Sequence, residues 1–210
     1  MNEILIYPTY FPTLLQMATV VQAQKVVFEK EDNYQKQTYR NRCYIAHANG
    51  KLLLNVPVKH SKKQHHQKTK EVCVENDFPW QSHHWKSLES AYRTSPFFEF
   101  YEDDIHPLFT HPVSSIFEHN INIFETLSEL MSIDVEITYS NEYHATPEQT
   151  DLRFLANAKK PHFDNFPHYT QVLEANHGFI PNLSVLDLLF NEGPNALTYL
   201  EQLDLSSLLK

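Results

Sequence analysis

Arg40 and Arg42 flank Asn41 in the run YRNRCYIAHA, and their spacing is the first feature with chemical content. Residues at i and i+2 of a strand point to the same face. Two arginines so placed can bind two phosphates or both ends of one acidic group, because the planar guanidinium fork matches oxyanions. A second basic feature starts at Lys59: five lysines (59, 62, 63, 68 and 70) are interleaved with His60, His65 and His66. Such a stretch is either a solvated loop or a loop that steers an anion into place. A third feature is HGFIPNLS, which carries His177, Asn182 and Ser184 to the start of a helical pattern that contains Asp187. A helix N-terminus offers unpaired N–H groups that suit an anion, although the same residues also read as simple caps. Proton transfer is assigned to histidine, which titrates near neutral pH; His84 and His177 are the candidates. Tyr10, between Pro8 and Pro12, is placed to line a pocket and stack on a base or sugar.

Composition removes several other chemistries. The 210 residues include 3 glycines, at 50, 178 and 193. They lie too far apart for a GxGxxG dinucleotide loop, a GxxxxGK[ST] phosphate loop or a GxSxG nucleophile elbow. There is no HExxH and no CxxC among the 13 histidines and 2 cysteines, so neither a metal nor a cofactor is expected. The net charge of -9 argues against nucleic acid as a partner. The charge is uneven, however. Residues 1–93 carry 13 of the 17 Lys+Arg and 8 of the 26 Asp+Glu, whereas residues 94–210 carry 4 and 18. The first half is therefore the part that could present a positive surface to a phosphate or carboxylate ligand. No run of 18 apolar residues exists to insert into a membrane, and MNEILIYPTYFP lacks the features of a signal peptide. A cytoplasmic chain with Cys43 and Cys73 as free thiols is the expectation.

These side chains need a frame to hold them. Glu3–Tyr7 and Lys25–Glu29 read as strands on either side of a helical stretch, Thr13–Ala23, with Thr13 as N-cap. This β-α-β opening predicts a parallel pair and an α/β sheet. Asn49-Gly50 between NRCYIAHA and KLLLNVPV predicts a β-hairpin. Glu71–Glu75, Val135–Tyr139 and Tyr169–Leu173 read as further strands. Helices are predicted over Pro79–Tyr92, Phe97–Leu108, Val113–Met131, Ser184–Phe190 and Asn195–Leu203, with Ser184 and Asp187 spaced as a capping box. The expected whole is one domain, residues 1–210, with a mainly parallel sheet, a hairpin elaboration and a helical C-terminal half.

YPTYFP, YRNR, AYRTSPFF and FIPNLSVLDLLFNEGP occur in the order and context seen in the WbqC-like protein family, which the chain resembles over nearly its whole length. The resemblance implies a part in bacterial surface-polysaccharide (O-antigen) synthesis, and it brings no established catalytic residues. Many members begin with a His-Gln-Pro-Asn-Tyr-Phe-Pro-like stretch. Here Tyr7 stands near the histidine position and the glutamine is missing. Combined with the basic residues, the resemblance implies an enzyme that transfers a group to or from a phosphate-bearing substrate such as a nucleotide-linked sugar. In that reading Tyr10, Arg40, Arg42, Lys59, Asn182 and Asp187 bind the substrate, and His84 or His177 carries the proton. The rival reading is a non-catalytic adaptor in a polysaccharide-synthesis complex, docking through Phe97, Phe98, Phe100 and Tyr101 beside Glu102–Asp104.

Overall fold

The computed structural model describes residues 1–59, 67–159 and 165–208. The chain opens with β1 (Glu3–Ile6), α1 (Leu14–Val21) and β2 (Lys25–Phe28), and β1 and β2 pair in parallel, as the β-α-β pattern predicts. The apolar runs ILI and VVF are buried on both faces of the sheet, which is why neither strand alternates with polar residues. Ile4, Ile6, Val26 and Phe28 join the main core. Leu5 and Val27 face the other side, beneath the 140–149 segment.

A hairpin follows: β3 (Arg42–His47) pairs antiparallel with β4 (Gly50–Asn55). Gly50 takes a φ of +105° as the first residue of β4, while Asn49 keeps a negative φ. Glycine is thus needed just past the corner, where a side chain would be strained. Three helices come next, α2 (Trp80–Tyr92), α3 (Phe98–Ile105) and α4 (Ile116–Leu130). Then β5 (Glu136–Tyr139) pairs with β2, and β6 (Thr150–Asp151) pairs with β1. The sheet is therefore four parallel strands in the order β5-β2-β1-β6. The chain finishes with α5 (Glu174–His177), α6 (Val185–Glu192) and α7 (Ala196–Gln202). Buried side chains from the sheet, the hairpin and the helices form one continuous apolar cluster. No helix among the described residues is long and apolar enough to cross a membrane.

Two predicted strands are absent, each for a visible reason. Val72 and Val74 are buried and alternate with exposed Cys73, but residues 71–75 find only isolated bridges, to Val58 and Ser115. Residues 169–173 are held through side-chain hydrogen bonds instead of by a neighbouring strand. Val172 N donates to Asn191 Oδ1 at 2.9 Å, and the Gln171 amide pairs with both the N–H and the C=O of Ile180, at 2.8 and 2.9 Å. Both cysteines are unbridged, Cys43 in the core and Cys73 at the surface.

Candidate functional site

The four parallel strands all deliver their C-terminal ends to the same edge of the sheet. Tyr7 follows β1, Glu29 and Asp32 follow β2, Tyr143 lies beyond β5, and Arg153 lies just past β6. Chain connections leave β1 toward β2 on one side and enter β6 on the other. In open parallel sheets a crevice at such a reversal, outside the carboxyl ends of the strands, is where ligands bind. A cavity of about 350 Å³ lies there, with Tyr7, Thr38, Arg40, Tyr143, Asp151 and Arg153 in its wall.

Arg40 is 1% exposed. Its Nη2 donates to Asp32 Oδ2 at 2.7 Å, and its guanidinium lies over the Tyr7 ring, 3.6 Å from the centroid. Asp32 also accepts from Thr69 Oγ1 at 2.6 Å. Burial raises the Asp32 carboxyl in spite of Arg40, and burial likewise pushes the Tyr7 phenol up, so Tyr7 stays neutral. What remains of Arg40 has no acceptor: Nε and Nη1 are buried without a hydrogen bond.

Arg153 repeats the pattern across the cavity. Its Nε and Nη2 clasp Asp151 at 2.8 and 2.7 Å, and its guanidinium sits 5.0 Å from the Tyr143 ring centroid. Its Nη1 is 3.5 Å from Glu29 Oε2, close enough for charge attraction, yet neither atom makes a hydrogen bond. The other Glu29 oxygen is fully engaged, by Ser140 Oγ at 2.6 Å and the Glu31 N–H at 2.8 Å. The site thus holds two carboxylate-anchored guanidinium groups, each beside a tyrosine ring and each with spare N–H donors, and Glu29 lies buried behind Arg153. No set of three metal-ligating side chains occurs among the described residues.

The surrounding loops are tied together by polar contacts. Asn120 of α4 donates to Pro8 O at 3.1 Å and Arg40 O at 2.7 Å. Tyr10 N reaches Tyr39 O at 2.9 Å, and Tyr39 N reaches Ala156 O at 2.8 Å. The loops after β1, before β3 and after β6 are therefore one hydrogen-bonded unit.

The structure separates residues that the sequence suggested together. Arg40 and Arg42 do not form a clamp. Strand β3 begins at Arg42, so Arg40 sits in the preceding turn and the i, i+2 alternation does not reach it. Arg42 and Lys59 line a different groove. Lys68 and Lys70 both bind Glu31, at 2.5 Å each, and hold its carboxyl down at about 2. Lys62, Lys63, His60, His65 and His66 lie outside the described residues.

Tyr10 and His84 are in the core. The Tyr10 hydroxyl bonds His84 Nδ1 at 2.8 Å, and both rings pack against Trp80, with His119 close behind. Burial lowers His84 and His119 to about 4, so both are neutral near pH 7. His84 does not reach the 350 Å³ cavity, and neither does Tyr10. The helix entrance at 177–187 is closed in the same sense. Asn182, at a φ of +52°, accepts from Leu15 N at 3.0 Å and so caps α1, 167 residues earlier in the chain. Val185 N donates to Pro12 O at 2.8 Å, Leu186 N to Ser184 Oγ at 3.3 Å, and Asp187 N to Ser184 O at 2.9 Å. No N–H of this turn is left for an anion. The Asp187 carboxylate does not complete a capping box. It is 0% exposed and takes hydrogen bonds from Tyr92 at 2.8 Å, Tyr169 at 2.5 Å and Gln171 at 2.7 Å. His177 Nδ1 bonds the neighbouring Gly178 O at 2.8 Å.

Sequence reasoning singled out none of Glu29, Asp32, Asp151 and Arg153, and it named Tyr7 only for its place in the opening motif. One signal was present: Arg153 is one of four Lys+Arg in an otherwise acidic second half. The proposed docking face is mostly interior. Phe98 and Tyr101 are buried, and only Phe100 projects, at 71% exposed.

A family model described as the WbqC-like protein family matches residues 7–160 and 149–199. An uncharacterised protein of Mycobacterium tuberculosis, Rv1507c, is 23% identical over 227 residues, covering 93% of this chain and 96% of the relative. No solved structure matches the chain.

Proposed function

The chain belongs to the WbqC-like protein family, and on that premise we propose that it is a group-transfer enzyme acting on a phosphate-bearing sugar, such as a nucleotide-linked sugar, in bacterial surface-polysaccharide synthesis. One observation carries this reading: Arg40 and Arg153 both line the cavity at the sheet's carboxyl edge, and both keep buried guanidinium N–H groups without an acceptor. Buried donors are nearly always paired, and leaving one unpaired costs about 1–3 kcal/mol. A phosphate oxygen supplies the missing acceptor in charge-assisted form.

The rest of the cavity suits the sugar. Tyr7 and Tyr143 give flat walls, and Gln35, Thr38 and Asn157 offer hydrogen bonds to hydroxyls. His84 and His177 are away from the cavity, so neither is placed to carry a proton there.

The test is a thermal-shift screen of nucleotide sugars and nucleoside triphosphates against the wild type and Arg153→Gln. The expected result is stabilisation of the wild type by a nucleotide sugar that is largely lost in Arg153→Gln. Equal shifts in the two proteins, or none in either, remove the phosphate-sugar reading.

A further inference from the structure

The chain from Tyr34 to Arg42 forms a wall with a cavity on each side. Gln35, Thr38 and Arg40 turn toward the sheet-edge cavity, while Tyr34, Lys36, Asn41 and Arg42 turn toward a groove of about 480 Å³ at the base of the hairpin. Residues 35–37 are the exposed crest between them. The volume lies within the usual range of small-molecule sites.

The groove is built like a binding site in three independent respects. First, Lys36, Arg42 and Lys59 line it together with a single carboxylate, Glu75, inside a protein of net charge -9. Second, three buried polar atoms of its lining have no hydrogen-bond partner: Tyr34 Oη, Asn41 Oδ1 and Arg42 Nε. Asn41 is 6% exposed, and its amide nitrogen is already committed to Asn55 Oδ1 at 3.3 Å and Val56 O at 2.9 Å. Its oxygen is therefore held in one orientation and waits for a donor. Third, Phe78 stands at the rim 63% exposed, an uncommon place for a phenyl ring with no partner to cover it.

We propose that this groove is a second ligand site, separate from the sheet-edge cavity, that binds a phosphate ester whose ring packs on Phe78. The phosphate lies against Arg42 and Lys59, charge-assisted at Arg42 Nε. A ring hydroxyl or amine donates to Asn41 Oδ1 and accepts from the Tyr34 hydroxyl. Nucleotides and sugar phosphates share this chemistry, an anionic head on a ring with polar edges. The site stands on its own residues and does not depend on what the first cavity binds.

The experiment is calorimetric titration of the full chain with uridine diphosphate, glucose 1-phosphate and inorganic phosphate. It compares the wild type with Arg42→Gln, Phe78→Ser and Arg153→Gln. Phe78→Ser changes only an exposed ring, so it reads binding without disturbing the fold. The expected result is that at least one ring-bearing phosphate binds more tightly than inorganic phosphate. Arg42→Gln and Phe78→Ser each weaken it by about tenfold, and Arg153→Gln leaves that binding event unchanged. Preference for uridine diphosphate identifies the site as nucleotide-binding, and preference for glucose 1-phosphate identifies it as sugar-phosphate-binding. Three results overturn the proposal: no binding of any probe, no binding event that either groove variant weakens, or a single binding event that Arg153→Gln alone abolishes. The last would place the phosphate at the sheet edge, and it would leave the proposed function standing while this site fails.

Discussion

Arg40 lies over the Tyr7 ring, 3.6 Å from its centroid, while its Nη2 donates to Asp32 at 2.7 Å. Ring, cation and carboxylate therefore support one another, and removing different parts of Tyr7 separates the two contributions. Tyr7→Phe keeps the ring over which Arg40 sits and removes only the hydroxyl, a loss of about 1 kcal/mol at most. Tyr7→Leu also removes the desolvated cation–π contact and should cost about 2 kcal/mol more. Urea denaturation of the two variants checks this. Equal losses would show that the hydroxyl, and not the ring, positions Arg40.

Stability should fall in mild acid because of two buried histidines. His84 and His119 are held at about 4, against an ordinary value of 6.5. Between those values the unfolded chain binds more protons than the folded one, so unfolding is favoured as pH drops. The stabilisation is complete above about 6.5 and lost by about 4, up to about 3 kcal/mol for each residue. Glu31, held at about 2 by Lys68 and Lys70, loses its contribution only below its ordinary 4.5, in a lower window. Denaturation midpoints at pH 7, 6 and 5 should fall steadily in the wild type and about half as steeply in His119→Leu. An identical slope in both proteins would refute the assignment.

Asp187 has a structural role that substitution can expose. Three donors converge on its buried carboxylate, from Tyr92, Tyr169 and Gln171. Asp187→Asn replaces one acceptor oxygen by an NH₂ that faces a donor, and a loss of about 3 kcal/mol is expected. Ligand-induced stabilisation at pH 7, measured from the variant's own baseline, should be unchanged. A selective loss of ligand response would return Asp187 to the binding residues.

Gly193 cannot accept a side chain. It has a φ of +54° as the C-cap of α6, and a Cβ there would lie 2.6 Å from the Phe97 ring. Gly193→Ala should cost about 1 kcal/mol for the backbone alone and more for the clash. Adding Phe97→Leu should recover part of the loss. A double variant no better than the sum of the two single ones would show that the ring is not the obstacle.

The parallel pair, the hairpin and the main helices were legible because each depends on local patterning. ILI and VVF are unbroken apolar runs, Thr13 is a cap residue before helical periodicity, and Gly50 marks a corner. The site was legible only in part. Arg40 was visible as a charge beside a strand-like run. Its partner Arg153 was not, since β6 is two residues long and Thr150–Asp151 has no apolar signature. Asp32 and Glu29 follow β2 as unremarkable acids, and their meaning comes from where the sheet delivers them. The opposite error has the same cause. His84, Asn182 and Asp187 are polar residues with chemical promise, but burial and long-range partners turn them into a core histidine, a distant helix cap and a hydrogen-bond hub.

Arg153 reaches the cavity on the shortest ladder in the sheet, two residues paired to β1. So short a pairing should open in local fluctuations well below the free energy of global unfolding. Amide hydrogens around residues 150–156 should therefore exchange with solvent faster than those of β1 and β2. A ligand that bridges Arg40 and Arg153 would stitch that edge shut. The speed of exchange at β6 would then report occupancy of the site, even for a ligand whose chemistry is unknown.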